Sequence, residues 1–307
     1  MEKNRKDILL RGILRGGEAR FFICSTTEMT RQAREIHSAS HTCTAAMGRM
    51  ISAVAMLGSG LKSDEERITV TIRGGGPAGA LTAVARANGA VKVTIDHPDI
   101  ELPLKPNGKL DVGGALGRNG QLSVVRSSCF GEPYVGRVAL VSGEVAEDFA
   151  MYYTESEQIP SLCALGVRTG KDVECAGGIL IQAMPSCSND LLDQLDIRTE
   201  LFSGISQLLF EMTPWELSEA CFRGLNPEVL EECPLSLSCD CSREQIERVL
   251  LSMGRMELKD MIEKDGGCEV SCHFCRTKYH FTAKELDALL QEGTEDRYRE
   301  NTELPRY

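Results

Sequence analysis

Two short stretches near the C-terminal end, SCDCSREQ at 238–245 and GGCEVSCHFCRTKYHF at 266–281, set close pairs of cysteines on either side of a charged helical segment. The pairs are Cys239-x-Cys241 and Cys272-x-x-Cys275, with 30 residues between them. Local signals around them are dense. Ser242 and Gln245 form a capping box for a helix over REQIERVLLSM, which Gly254 stops. RMELKDMIEKD predicts a second helix ended by Gly266 and Gly267, and Thr282 with Glu285 caps a final one over AKELDALLQEG. The segment 233–292 therefore reads as a miniature domain that opens on a short strand, LSLSC, and precedes a polar tail at 293–307. With about 60 residues and few large apolar side chains, it needs a staple.

Zinc takes four soft ligands at tetrahedral corners, and two close cysteine pairs on facing turns supply them with little loop strain. Cys239, Cys241, Cys272 and Cys275 are the expected ligands of one zinc ion, with the CHFC turn directing backbone N–H groups toward the thiolates. His273 and His280 read as surface or packing residues, and Cys233 and Cys268 as bystanders. Cys24, Cys43, Cys129, Cys163, Cys175, Cys187 and Cys221 lie singly in apolar or small-residue contexts, where a free thiol behaves as a small core residue.

Thirteen cysteines in 307 residues are an odd number and fall below the ~8–10% of a disulfide scaffold. A metal or redox site plus buried thiols fits a reducing compartment better. No apolar run approaches the roughly 20 residues of a membrane span. The opening MEKNRKDILLRG lacks the apolar run and cleavage site of a secretory signal, so a cytoplasmic protein is expected, with no membrane partner. A net charge of −11 argues against nucleic acid as the main ligand.

Residues 1–185 read as a mixed α+β domain. Strand-like runs are ARFFICST (19–26), RITVTIR (67–73), VKVTI (91–95), QLSVVR (121–126) and GGILIQAM (177–184). Helices are expected at 27–37, 42–57 and 142–158. In the last, Val145, Phe149 and Tyr152 keep helical spacing, and Glu144, Glu147 and Asp148 read as a solvated acidic first turn. From 186 to 232 the β-branched runs vanish. That segment reads as an all-helical linker with a capping box at Thr213 and Glu216, and with more apolar residues than it can bury alone, from Leu191 through Phe210. It must lean on neighbours.

Gly74-Gly-Gly76-Pro-Ala-Gly79 follows a strand, and Asp96 comes about 20 residues later, as a dinucleotide fingerprint would require. The intervening ALTAVARANG is too short for a crossover helix and ends in a hairpin signal, so nucleotide binding is not expected. Four-thiolate sites are also found in zinc ribbons that bind nucleic acid, which the acidic balance opposes. A CxxC thiol-disulfide oxidoreductase would place its pair at a helix start, whereas CRTKYHF looks extended. A redox sensor is the third reading.

The order of a large α+β domain, a helical segment and a terminal C-x-C…C-x-x-C module resembles the 33-kDa heat-shock protein family, the redox-regulated holdase chaperones of bacteria. SGEVAEDFAMYYTESEQIPS (142–161) and TAAMGRMISAVAMLG (44–58) add to the resemblance, which covers nearly the whole chain. His41 departs from it, standing where Pro is expected, and the cysteine count is high. The resemblance implies a non-enzymatic, ATP-independent chaperone, zinc-bound and inactive when reduced, that oxidants convert into a binder of unfolding proteins. Cys239, Cys241, Cys272 and Cys275 would be both ligands and switch, in a protein monomeric when reduced and homodimeric when oxidised. Of the oxidised pairings, short loop closure favours Cys272–Cys275, and a strained Cys239–Cys241 bridge is the remaining choice.

Overall fold

The computed structural model describes residues 6–127 and 132–291, which fall into two compact units, one ending at Ser238 and the other beginning at Cys239. Cys129 and the tail at 293–307 lie outside the described residues. The fold is α+β, as expected.

The first unit contains two sheets. One runs in the order β10-β1-β2-β9-β8 and is antiparallel throughout: β1 (Ile8–Leu14), β2 (Ala19–Ser25), β8 (Ser161–Thr169), β9 (Val173–Ala183) and β10 (Glu228–Pro234). The β1–β2 hairpin turns through Arg15, Gly16 and Gly17, all at positive φ, where glycine carries no Cβ penalty. The second sheet is ordered β11-β5-β4-β3-β6-β7, from β3 (Arg67–Arg73), β4 (Leu81–Arg86), β5 (Ala90–Ile95), β6 (Gln121–Ser127), β7 (Tyr134–Ala139) and β11 (Ser236–Leu237). Strands β3, β4 and β5 alternate buried with half-buried side chains, as a sheet covered on one face requires. The short strand read from LSLSC is β11, and it pairs parallel with β5 inside this unit.

Helix α1 (Thr27–His37) leads into α2 (His41–Gly58), which packs against strands of both sheets. Its small side chains allow that approach. A Cβ on Gly48 would stand 2.7 Å from a Thr30 methyl and 2.8 Å from Val167. Ser40 caps the helix by accepting the Cys43 N–H at 3.0 Å, and the His41 N–H donates to the Glu101 carboxylate at 2.7 Å. Proline at position 41 would lack that donor.

The Gly74–Gly79 loop is followed by the β4–β5 hairpin rather than by a crossover helix, so no βαβ unit is built on it. Asp96 instead accepts the Ala80 N–H at 2.8 Å. Short α3 (Val112–Leu116) precedes β6.

The acidic turn before α4 (Ala146–Glu155) differs from its solvated reading. Glu147 is exposed, but Asp148 is fully buried and accepts N–H groups from Val141, Ser142, Gly143 and Val145. Glu144 joins Arg49 at 2.6 Å and is hydrogen-bonded by Lys105 and by the Gly113 N–H. These carboxylates fold the 141–145 loop back onto the helix, which begins four residues later than the sequence indicated. Val145, Phe149 and Tyr152 are all fully buried.

Helices α5 (Asn189–Ile197), α6 (Thr199–Phe202), α7 (Ile205–Glu211) and α8 (Pro214–Cys221) follow β9, with the Thr213–Glu216 capping box in place. Leu191, Leu195, Phe202, Ile205 and Leu209 form one core with Phe21, Ile23, Ile179 and Ile181 of the five-stranded sheet. At ~1.5–3 kcal/mol per buried side chain, this sheet supplies the support the segment lacks by itself. The segment is not helical throughout, because β10 occupies 228–234 and pairs with β1. Leu192, Ile197, Leu201, Phe210 and Trp215 remain exposed.

Candidate metal centre

The second unit is built around the two cysteine pairs. Helix α9 (Arg243–Met253) starts at Ser242, whose hydroxyl accepts the Gln245 N–H at 3.3 Å. Helix α10 (Arg255–Asp260) continues into a π-helical turn at Met261–Asp265, stopped by Gly266 at φ +69°. Strands β12 (Gly267–Ser271) and β13 (Lys278–Thr282) then form an antiparallel hairpin with CHFC at its tip. Residues 283–291 are helical behind the Thr282–Glu285 capping pair.

The core of this unit is small. Leu250, Leu258, Phe281, Leu286 and Leu290 are its buried members. The Arg243 guanidinium lies over the Phe281 ring at 4.2 Å and donates to Glu285 at 2.7 Å, fastening the start of α9 to the hairpin.

Hairpin geometry fixes the CHFC turn. The Cys272 N–H donates to the Thr277 carbonyl and the Arg276 N–H to the Cys272 carbonyl, both at 2.9 Å, with Arg276 at φ +59°. The turn faces the Cys239–Cys241 segment, and the four Sγ atoms lie within 4.8 Å of one another. Cys239 and Cys272 sulfurs are 3.7 Å apart, and Cys241 and Cys275 sulfurs 3.4 Å. A tetrahedral zinc with bonds of about 2.3 Å spaces its sulfurs by about 3.8 Å, so the donor set and its dimensions fit that ion. All four cysteines are free thiols, and the nearest sulfurs belong to opposite pairs.

Hydroxyl groups approach one side of the cluster. Tyr279 Oη is 3.1 Å from Cys241 Sγ and 3.3 Å from the Cys241 carbonyl, and Thr277 Oγ1 is 3.1 Å from Cys275 Sγ. Burial works against a Cys275 thiolate, but hydrogen bonds from the Thr277 hydroxyl and backbone N–H outweigh it and bring this thiol down to about 7. Burial pushes Cys241 upward against the Tyr279 hydroxyl. Burial also raises Cys239, against the Cys241 N–H, with Cys272 close by adding to the rise.

His273 and His280 are exposed, and His280 pairs with Glu269 at 3.3 Å. Cys233 is on β10 of the first unit, and Cys268 packs beside the small core of the second. CHFC sits between antiparallel strands, not at the helix start a thiol-disulfide oxidoreductase uses. The sequence reading passed over Thr277 and Tyr279, although their alternate placement just beyond a CxxC turn was a visible signal.

The family model described as Hsp33 protein matches residues 7–282. A 33 kDa chaperonin of Clostridium perfringens is 43% identical over 290 residues, 93% of this chain and 92% of the relative. That of Bacillus subtilis is 40% identical over 291 residues, 94% of this chain and 99% of the relative. The crystal structure of the 33 kDa chaperonin from Thermotoga maritima superposes with a TM-score of 0.83 at 33% identity, covering 94% of this chain and 99% of that one. On the matched span, the identity and the shared architecture, the chain belongs to the Hsp33 family.

Proposed function

We propose that this protein is a redox-regulated, ATP-independent holdase chaperone. Family membership supports the chaperone assignment, and the four convergent sulfurs carry the regulatory part. Reduced, Cys239, Cys241, Cys272 and Cys275 hold one zinc ion. Bound there, zinc would keep the four sulfurs as thiolates and cross-link the two cysteine pairs. Oxidation of Cys272 with Cys275, and of Cys239 with Cys241, would remove the ligands and leave the small core of the second unit without its staple. The exposed apolar side chains between Leu192 and Trp215 supply surface that an unfolding client can cover. No helix among the described residues is long and apolar enough to cross a membrane. A cytoplasmic protein, monomeric when reduced and dimeric when oxidised, acting on clients without chemistry and without nucleic acid, is consistent with this reading.

Light scattering of a heat-denaturing test protein checks it. The oxidised chain is expected to suppress aggregation, and the reduced, zinc-loaded chain is not. Equal behaviour of both forms would remove the redox switch.

A further inference from the structure

The two hydroxyls at the thiol cluster are placed unevenly. Thr277 faces Cys275 and Tyr279 faces Cys241, so both attend the sulfur pair that is 3.4 Å apart. Among the described residues, no hydroxyl is hydrogen-bonded to Cys239 or Cys272 Sγ. Thr277 immediately precedes β13 and Tyr279 lies on it, two positions on, so the short segment leaving the CHFC turn sets both contacts. Tyr279 Oη also reaches the Cys241 carbonyl.

We propose that Thr277 and Tyr279 are positioning residues that set the oxidant threshold of the switch. The inference rests on the zinc-bound, redox-regulated reading above. In the thiol form the Cys275 S–H donates to Thr277 Oγ1; held as a thiolate by a metal, the sulfur can only accept, and a hydroxyl donating to a thiolate draws charge from the sulfur. The sulfur then attacks an oxidant more slowly and stays longer as a ligand.

The oxidant is a hydroperoxide. A thiolate sulfur attacks a peroxide oxygen, the O–O bond breaks, and sulfenic acid and hydroxide form. A second thiolate attacks the sulfenic sulfur, the S–S bond forms, and a second hydroxide leaves. Two electrons pass from the two sulfurs to the peroxide, and the metal is released as the divalent ion. Donation from Thr277 and Tyr279 slows the first attack at Cys275 and Cys241.

The test uses the full, zinc-loaded chain with hydrogen peroxide and no client, following metal release with a colorimetric chelator. Tyr279→Phe and Thr277→Val are expected to release zinc roughly 3- to 10-fold faster than the wild type, and Thr277→Ser, which keeps the hydroxyl, at the wild-type rate. Trapping sulfenic acid at low conversion and mapping it by mass spectrometry adds a site-resolved readout. In the Phe and Val variants the share of modification at Cys241 and Cys275 should rise relative to Cys239 and Cys272.

Wild-type release rates in both variants would overturn the proposal. So would equal acceleration at all four cysteines, or failure of Tyr279→Phe to hold metal before peroxide is added. A reduced wild-type chain without zinc would instead defeat the reading on which this inference rests.

Discussion

Asp148 Oδ2 accepts the Val145 N–H at 3.1 Å, and Val145 is held at φ +72°, a left-handed conformation in which a β-branched residue is strained by about 1–3 kcal/mol. The other carboxylate oxygen takes the Val141 N–H at 2.8 Å and the Ser142 N–H at 3.2 Å. With the Gly143 N–H, one buried side chain thus accepts four N–H groups of the turn that starts α4, while the Glu144 N–H donates to the Ser142 hydroxyl. Asp148→Ala would leave these N–H groups buried without partners and is expected to destabilise the first unit by on the order of 3–5 kcal/mol. Asp148→Asn keeps one acceptor oxygen and should cost about 1–3 kcal/mol. Urea unfolding followed through Trp215, the single tryptophan of the chain, measures both. Equal, small losses would show that the turn does not depend on this carboxylate.

Asp7, just before β1, is a carboxylate held against the first turn of α1 whose titration lies nearer neutrality. Asp7 accepts the Glu28 N–H at 3.1 Å and the Met29 N–H at 2.6 Å, and its backbone carbonyl accepts the Leu235 N–H at 3.0 Å. Burial raises its pKa from 3.8 to about 6, with the Glu28 charge adding to the rise and the backbone donors opposing it. The folded chain therefore binds this proton more tightly than the unfolded chain. The corresponding stability is complete below pH 3.8 and lost as pH rises through about 6. Asp7→Asn removes the titration. The stability of the variant relative to the wild type is expected to increase by on the order of 1–3 kcal/mol between pH 4 and pH 8. Parallel urea midpoints across that range would exclude Asp7 as the source.

How far the sequence could be read follows from where each constraint acts. The clustering of Cys239, Cys241, Cys272 and Cys275 was legible because close cysteine pairs and the caps at Ser242 and Thr282 are local signals, each written within a few residues. Strand β10 was not. Its sequence, EVLEECP, has no core-facing alternation, and it becomes a strand by pairing with β1, as Arg11 opposite Glu231 illustrates across 220 positions. Asp148 and Glu144 failed for a related reason. Acidic residues at a helix start are usually solvated, and only the folded 141–145 loop and Arg49 from α2 bury them. The surplus of apolar residues in 189–221 was visible, but its partner, the face of the sheet bearing Phe21 and Ile181, was not.

Removal of metal from the reduced chain should unfold one unit and leave the other folded. The first unit holds its own extensive cores, whereas among the described residues the apolar core of the second has Leu250, Leu258, Phe281, Leu286 and Leu290 as its buried members. At about 1.5–3 kcal/mol each, these five supply on the order of 8–15 kcal/mol, well short of the conformational entropy of ordering the segment at ~1–2 kcal/mol per residue, so the unit depends on the ~10–16 kcal/mol that structural zinc contributes in small peptides. A strong chelator under reducing conditions is therefore expected to unfold 243–282 while the β1–β2 and β2–β9 pairings persist. Hydrogen exchange resolves the two regions. Amides of α9 and of the β12–β13 hairpin should lose protection within seconds of chelation and regain it when zinc is restored, and those of β2 and β9 should remain unchanged. Persistent protection of the β12–β13 hairpin without metal would mean that this unit folds on its own side chains, and that the four thiols are not its staple.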